Sequence, residues 1–161
     1  MPDRFVTRAL HPGDRLRWGE LHRGYTDFYE VAMTDEQRER LWGWLLTHAY
    51  GLEGLVVEHQ GQVVGIAHIR PVVRPLHVTV DGYLDDLFVD PAARGTGAAA
   101  ALLQAVRHLG ADRGWSLVRW LTSETNARAR AFYEREGARP LTFVTYSIDV
   151  LPGPPGPPGI G

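Results

Sequence analysis

The chain has 161 residues, a net charge of −2 and no cysteine. This length suits one globular domain with a hydrophobic core. The lack of cysteine excludes disulfide bonds, thiolate metal sites and a covalent acyl-cysteine intermediate. All seventeen basic residues are arginine, which excludes a Walker A lysine and a lysine Schiff base. The small negative charge gives no basic surface for nucleic acid.

The seven histidines are scattered, without the HxxxH or HxH spacing of a metal site, so we expect no bound metal. The sequence has no run of about 18 apolar residues, and its N-terminus lacks the pattern of a secretory signal. We therefore expect a cytoplasmic protein without membrane association. Arginine in place of lysine, with abundant alanine, glycine and proline, is typical of a GC-rich bacterial genome.

The first elements in chain order are a strand and two helices. FVTRAL (5–10) has the composition of a strand, and Asp14 is placed to begin a helix that ends near Glu30. Thr34 and Gln37 have the spacing of a capping box, which predicts a second helix to about His48.

Two antiparallel strands follow, because the connection between them is too short for a crossover. LVVEHQGQVVGIAHIRPVV (55–73) predicts a hairpin with its turn at 60–62, and Pro71 and Pro75 end the pattern. The second half then alternates strands and helices. These are a strand at 83–89, a helix from about Arg94 to Gly110, a strand at 116–122, a helix at 126–137 and a strand at 141–150.

This order predicts a mixed α/β fold over residues 1–150. We expect one mixed, mostly antiparallel sheet of six or seven strands, flanked by about four helices. The tail, residues 151–161, is rich in proline and glycine and cannot join a sheet, because proline lacks the N–H donor. We expect an extended tail.

The turn Arg94-Gly95-Thr96-Gly97-Ala98-Ala99 opens the third helix. A helix N-terminus leaves its first N–H groups unpaired and carries partial positive charge, so small residues there favour an anion site. A diphosphate fits this set of amides, hydroxyl and guanidinium. The alternative is that the two glycines only shape a loop before a core helix.

Asn126 and Tyr133 lie seven residues apart on the last predicted helix and therefore share one face. An extended ligand arm could pass the amide and reach the phenol. Taken alone, Asn126 has the pattern of a helix cap and Tyr133 that of a half-buried aromatic residue.

Together, LFVDPAARGTGAA (87–99) and TSETNARARAFYEREGA (122–138) resemble the acetyl-CoA site of the GNAT N-acetyltransferase superfamily. Its R/Q-x-x-G-x-G/A signature is matched by Arg94, Gly97 and Ala99. The order of elements is also similar over residues 5–150. Within the superfamily, the chain is similar to the polyamine acetyltransferases and to the fungal histone and amino-acid acetyltransferase-like branch.

The resemblance implies a role for each matching position. Backbone groups of Leu87, Phe88 and Val89 pair with the pantetheine arm, while the strand at 116–122 splays away to admit it. Asn126 holds the arm, and Tyr133 protonates the leaving thiolate. The pyrophosphate binds the guanidinium and the amides of Arg94, Gly95, Thr96, Gly97, Ala98 and Ala99. A homodimer is also implied.

The base that deprotonates the amine is sought among the acids near the thioester. Asp85 and Asp86 are adjacent in a strand and are expected on opposite faces, so only one can face the thioester. The resemblance favours Asp85, with Asp86 and Glu124 in reserve. The alternative is that both are solvated carboxylates at a strand end.

Acids beside a thioester favour a cationic acceptor, and aromatic and acidic residues of the first two helices could line its pocket. The alternative for part of this set is that Trp42, Leu45 and Leu46 belong to the core. The pocket candidates are Tyr25 and Phe28, followed by Glu20, Asp27, Tyr29, Glu30, Trp42 and Trp44.

The sequence thus predicts an N-acetyltransferase that moves the acetyl group of acetyl-CoA directly to a primary amine in a ternary complex. The acceptor is a small amine, such as a polyamine or amino acid, or an amine of a peptide or protein. One alternative is a non-catalytic acyl-CoA-binding or interaction module. Another is a dinucleotide-binding oxidoreductase, since Gly95-x-Gly97-x-x-Ala100 fits that fingerprint.

Overall fold

A computed structural model describes residues 5–151. The chain divides into two compact units, with the boundary after Ser123. The described part of the first unit holds a five-stranded sheet with three α-helices, and that of the second holds one α-helix. A single domain over residues 1–150 stays a prediction. The predicted extended tail lies, from residue 152 onward, outside the described residues.

The sheet has the order β1-β2-β3-β4-β5 and is antiparallel except for the parallel pair β4 and β5. The mixed α/β class is confirmed, with five strands in residues 5–151 instead of six or seven. The strands are β1 (Val6–Ala9), β2 (Glu53–His59), β3 (Gln62–Arg74), β4 (Thr79–Val89) and β5 (Val118–Arg119). The helices are α1 (Arg15–Phe28), α2 (Asp35–Thr47), α3 (Ala98–Asp112) and α4 (Ala127–Arg135).

Local sequence signals decide where the early elements begin and turn. Thr34 caps α2 and exchanges hydrogen bonds with Gln37, so the predicted capping box is confirmed. The β2–β3 hairpin turns at Gln60 and Gly61, which both have positive φ (52° and 76°). Two successive residues with positive φ are typical of the two-residue turns that match the twist of a hairpin.

Pro71 does not end β3, contrary to the prediction. The N–H of Gly82, which lies opposite Pro71, donates to the Leu117 carbonyl of the β5 side at 3.0 Å. The pair therefore exchanges no ladder hydrogen bond, and the Pro71 nitrogen faces the β2 side, where pairing has already ended at Ile69. Because the missing N–H removes no bond, the strand continues to Arg74.

The predicted final strand at 141–150 is not formed in the described structure. Its alternating apolar residues satisfy the strand pattern, yet this whole segment is exposed and has no regular secondary structure. Phe143, Tyr146 and Ile148 are 87–93% exposed. A strand requires a partner ladder as well as a pattern, and nothing in residues 5–151 supplies one here.

The core of the first unit lies on both faces of the sheet. On one face, Val56, Ile66 and Phe88 of three adjacent strands pack against the two tryptophans and two leucines of α1 and α2, namely Trp18, Leu21, Trp42 and Leu45. On the other face α3 packs so closely that a Cβ at Gly65 would lie 3.1 Å from the Leu102 side chain. The core alternative for Trp42 and Leu45 is confirmed, whereas Leu46 is 39% exposed.

In residues 5–151, no helix has both the length and the apolar character needed to cross a membrane.

The junction between β4 and β5 is fixed by a buried carboxylate and a glycine. Asp81 is fully buried and accepts from the Ser116 hydroxyl at 2.7 Å and from Arg74 at 3.0 Å. At Gly82 an added Cβ would lie 2.5 Å from the Trp115 ring. In the described residues, β5 pairs with β4 only at Gly82 and Tyr83.

We expect Gly82→Ala to lower the free energy of unfolding by about 1–3 kcal/mol, because Trp115 must move to make room for the methyl group. Urea denaturation of the whole chain measures this. The control is Gly43→Ala in α2, where the added Cβ would meet no described atom within 4 Å apart from its chain neighbours and the backbone of its own helix. Alanine there should be neutral or stabilising. Equal unfolding midpoints for the two variants would contradict the packing.

Candidate active site

Two carboxylates lie at an irregularity in β4. His68 pairs with Asp86 while the next residue, Ile69, pairs with Leu84, so Asp85 is an extra residue in the β4 ladder. Such a β-bulge bends the strand and redirects the side chain at that point. The carboxylates therefore need not follow the simple alternation of a regular strand.

Both carboxylates lie on the same face of the sheet, which corrects the expectation of opposite faces. Asp86 contacts His68 and Asp85 contacts Arg70. His68 and Arg70 are two residues apart on the regular strand β3 and share one face. The bulge thus places two acids side by side, on the face covered by α1.

Asp85 is partly exposed, with 28% of its side chain accessible, and accepts from Arg70 Nε at 2.9 Å. Burial raises the pKa of Asp85 above its ordinary value, against the opposing hydrogen bond and charge of Arg70. A carboxylate with a raised pKa is a better proton acceptor at neutral pH than an ordinary one.

Asp86 has the opposite protonation behaviour. Its Oδ2 lies 2.7 Å from His68 Nδ1, and Tyr25 also donates a hydrogen bond to it. Burial alone would raise the pKa of Asp86, but the hydrogen bonds that it accepts from His68 and Tyr25 lower it below the ordinary value. Neighbouring carboxylates whose pKa values are driven apart are typical of sites that divide acid–base roles.

Beyond the bulge, one edge of β4 carries backbone groups that face away from β3. The Asp90 N–H donates to the Val64 carbonyl at 2.8 Å, which sets the alternation of the β3–β4 ladder. By this alternation Leu87 and Val89 direct their N–H and C=O groups outward, whereas those of Phe88 face β3. The expectation that the Phe88 backbone binds the pantetheine arm is therefore wrong, and Leu87 and Val89 remain candidates.

This outward edge is open because β5 leaves it early. No described strand pairs with β4 between Leu84 and Val89 on that side. Of the strand predicted at 116–122, only Val118 and Arg119 are in β5, so its pairing with β4 ends at Tyr83. That the strand splays away to admit a ligand stays a prediction.

The helix that follows the glycine turn has no N-terminal side-chain cap in the described residues. α3 begins at Ala98, four residues later than predicted, and no side chain in residues 5–151 caps it at Gly97. Gly95 and Gly97 have φ of 77° and 104°, a conformation that favours glycine. No described atom lies within 4 Å of a Cβ built on Gly95. The turn thus leaves open space beside Gly95, shortly before the start of α3, where helix N–H groups favour an anion.

Arg94 and Thr96 differ in what they offer at this turn. The exposed Arg94 donates from Nε to the outward Val89 carbonyl at 3.4 Å, and its guanidinium lies over the rings of Phe28 and Phe88. The Thr96 hydroxyl donates to the Ala93 carbonyl at 2.5 Å. That bond uses the only proton of the hydroxyl. Binding of the pyrophosphate by the Thr96 amide stays a prediction.

A cavity of about 420 Å³ lies beside Arg94, between α1 and the end of β4. It contains the predicted pocket residue Phe28 and places it next to the glycine turn. Its wall is formed by Arg17, Glu20, Leu21, Gly24, Asp27, Phe28, Phe88, Asp90, Pro91 and Arg94.

The remaining predicted site residues lie in the second unit. Asn126 is the N-cap of α4, and its side-chain oxygen accepts from the Ala129 N–H at 3.1 Å, as the cap alternative describes. Tyr133 lies in the last turns of α4 and is partly buried, while Glu124 precedes the helix and is exposed. The roles assigned to these three residues by the resemblance stay predictions.

Trp18, His22 and His68 were missed in the sequence and lie against the carboxylate pair. Trp18 Nε1 donates to His68 Nε2 at 3.0 Å, and His22 stacks on Trp18 with ring centroids 4.9 Å apart. All three side chains are buried. The available signal was a single histidine inside the apolar run VVGIAHI of β3. In residues 5–151, no group of three or more His, Asp or Glu side chains could hold a metal ion.

Comparison with known proteins identifies the family. The model of the acetyltransferase (GNAT) family matches residues 18–138. The chain belongs to the GNAT family of acetyltransferases. The predicted assignment to acyltransferases is thereby confirmed.

Two curated relatives cover most of this GNAT protein. It is 32% identical over 145 residues to the uncharacterized N-acetyltransferase YhfO of Bacillus subtilis (strain 168), covering 89% of this chain and 96% of the relative. It is 27% identical over 135 residues to the D-amino-acid N-acetyltransferase HPA3 of Saccharomyces cerevisiae (strain ATCC 204508 / S288c), covering 83% of this chain and 84% of the relative.

A solved structure supports the GNAT fold. The aminoglycoside N-acetyltransferase AAC(6')-Iy in complex with CoA has a TM-score of 0.79 to this GNAT protein at 17% identity, covering 92% of this chain and 97% of the other. The alternative of a dinucleotide-binding oxidoreductase is wrong. That fingerprint requires the strand before the glycines to lie in a parallel sheet, whereas β4 is antiparallel to β3.

Stability should depend on pH through His22. Burial lowers the pKa of His22 from 6.5 to about 4, and its Nδ1 has no hydrogen-bond partner in the described residues. The unfolded chain binds the proton more readily, so the stability that the neutral ring contributes is complete above about pH 6.5 and is lost as the pH falls through about 4. For a shift of this size the loss is up to about 3 kcal/mol.

Urea denaturation at pH 7, 5.5 and 4 tests this expectation. His22→Phe keeps a ring to stack on Trp18, and its free energy of unfolding should fall less between pH 7 and pH 4 than that of the wild type. The exposed His108→Phe is the control and should follow the wild-type pH dependence. Parallel curves for the wild type and His22→Phe would disprove the assignment.

Proposed function

We propose that this GNAT protein transfers the acetyl group of acetyl-CoA directly to a primary amine in a ternary complex. One observation carries the proposal. The open edge of β4 runs from the carboxylates of Asp85 and Asp86 to the glycine turn before α3, whose N-terminus has no side-chain cap in the described residues. From Asp85 to Asp90 an extended strand spans about 17 Å, which suits an extended ligand with an anionic group at one end and a reactive group at the other.

The residues along this edge fit acetyl-CoA. Leu87 and Val89 offer outward backbone groups that an amide-containing arm can pair with, as an added strand would. The N–H groups at the start of α3 and the guanidinium of Arg94 offer donors and positive charge to the pyrophosphate. Gly95 leaves space for its approach. When bound, acetyl-CoA supplies the thioester from which the acetyl group is transferred.

The two carboxylates have different roles toward the acceptor amine. Asp86 stays ionised and attracts the acceptor as an ammonium ion, while Asp85 takes one proton from its nitrogen. The freed lone pair forms the C–N bond to the acetyl carbon as the C–S bond breaks. Tyr133 gives its hydroxyl proton to the departing sulfur and regains a proton from the new amide nitrogen. One proton, held by Asp85, is released to water.

The acceptor in this proposal is a small cationic amine, an amino acid or an amine of a peptide. A cation is favoured because both acids face one side of the sheet and only Arg70 is ion-paired with Asp85 in the described residues. Two of the three proteins named above act, by their names, on D-amino acids and aminoglycosides, which are compounds with amino groups.

We expect Arg94→Ala to weaken acetyl-CoA binding about 10- to 100-fold, because a charge-assisted hydrogen bond to the pyrophosphate is lost. Isothermal titration calorimetry measures the dissociation constant. Arg107→Ala is the matched control, since Arg107 is an exposed arginine on the outer part of α3. Equal affinities for the Arg94 and Arg107 variants would remove the turn from cosubstrate binding.

Tyr133→Phe should lower kcat about 100-fold with little change in acetyl-CoA affinity, because a general acid acts chiefly in the transition state. Coenzyme A release with a panel of primary amines measures kcat. Tyr146→Phe is the control in the same unit, where Tyr146 is 89% exposed. Wild-type turnover by Tyr133→Phe would exclude the phenol as the acid. Acetyl-CoA binding by the wild type without release for any amine would favour the non-catalytic module.

A further inference from the structure

A buried chain of hydrogen bonds lies beneath Asp86, and the mechanism above does not use it. Trp18 Nε1 donates to His68 Nε2 at 3.0 Å, and His68 Nδ1 lies 2.7 Å from Asp86 Oδ2. Trp18 is 0% exposed and the His68 side chain 1% exposed, whereas 25% of the Asp86 side chain is accessible. The chain thus leads from the core to a carboxylate that ligands can reach.

The chemistry of tryptophan fixes the protonation of His68. An indole N–H is only a donor, so His68 Nε2 must accept and carries no proton. The single proton of the neutral imidazole is then on Nδ1, and Nδ1 donates to the Asp86 carboxylate. A second proton on Nε2 would set two N–H groups against each other at a buried contact. The hydrogen bond from Trp18 therefore selects the Nδ1–H tautomer of His68.

The charged and titratable groups around this chain come from three elements. From α1, Tyr25 donates to Asp86, His22 stacks on Trp18, and the Arg15 guanidinium lies 5.7 Å from the Trp18 ring. From β3 and β4, Arg70 and Asp85 form the neighbouring ion pair. His22 lacks a charge at neutral pH, because burial lowers its pKa to about 4. No group in this set offers His68 a second proton acceptor in place of Asp86.

We propose that His68, locked by Trp18 in one tautomer, is the positioning residue that holds Asp86 as an anion aimed at the ammonium group of the acceptor. This inference rests on the proposed N-acetyltransferase function and explains how the enzyme would select its acceptor. A carboxylate has lone pairs for several donors, so Asp86 keeps acceptor capacity after His68 and Tyr25 have donated. The site thereby selects acceptors that arrive as cations and disfavours neutral or anionic ones.

The first test reads the tautomer directly and does not depend on activity. Nitrogen chemical shifts of the full chain labelled with ¹⁵N-histidine distinguish protonated from unprotonated ring nitrogens. At pH 7 we expect His68 to have an unprotonated Nε2 and a protonated Nδ1. In Trp18→Phe the indole N–H is absent, and the fraction of His68 with a protonated Nε2 should rise. A wild-type His68 that carries its proton on Nε2, or a Trp18→Phe variant with the wild-type spectrum, would overturn the lock.

The second test separates positioning from structure. His68→Asn keeps an amide N–H near the place of Nδ1, whereas His68→Leu removes the donor. We expect His68→Leu to raise KM for the amine about tenfold or more with the KM for acetyl-CoA unchanged, and His68→Asn to restore most of the loss. The exposed His77→Leu is the control. Calorimetric acetyl-CoA binding verifies that each variant is folded.

The two proposals fail in different ways. If the wild type acetylates no amine of the panel, the proposed function fails and the acceptor role of Asp86 fails with it, while the histidine spectrum still reports the tautomer. If the wild type acetylates amines but His68→Leu keeps the wild-type amine KM, or His68→Asn and His68→Leu are equally impaired, only the present inference is overturned. Should His68→Leu not fold, the decision passes to His68→Asn and to the spectrum of Trp18→Phe.

Discussion

The site of the first unit depends on one constraint, the alternation of hydrogen bonds along the β3–β4 ladder and its interruption at Asp85. Where the ladder is regular, it turns the backbone of Leu87 and Val89 outward and engages that of Phe88. Where the extra residue enters, it brings two acids to one face. Removing that residue would shift the register by one and exchange inward and outward groups on one side of it, so a single backbone feature orients both the open edge and the acids.

The sequence predicts elements whose signals are local. The capping box of Thr34, the turn at Gly61 and the glycines before α3 follow from propensities within a few residues, and the structure has each of them. The predictions that were wrong required knowledge of pairing. Whether Pro71 interrupts a ladder depends on which side its nitrogen faces, and whether 141–150 forms a strand depends on a partner. Neither can be read from a periodicity.

The candidate site divides in the same way. Arg94, Gly95 and Gly97 were predicted from a short motif whose chemistry is that of backbone amides at a helix start. The placement of Asp85 and Asp86 was predicted wrongly, because the alternation rule holds only for a regular strand. His68 and Trp18 were not found, since they are fifty residues apart and only the packing of α1 against β3 brings them together. A polar residue inside an apolar strand was the available sign.

That polar residue also explains why the core beside the acids is not purely apolar. An unpaired buried imidazole or carboxylate is costly, whereas a chain in which every donor meets an acceptor rigidifies its members. Trp18, His68 and Asp86 form such a chain. The Nδ1 of His22 has no partner within residues 5–151, but burial lowers the pKa of His22 and keeps its ring neutral at neutral pH. The arrangement gives up some stability below about pH 6.5. In return, an ionised carboxylate is held at the surface by hydrogen bonds from His68 and Tyr25.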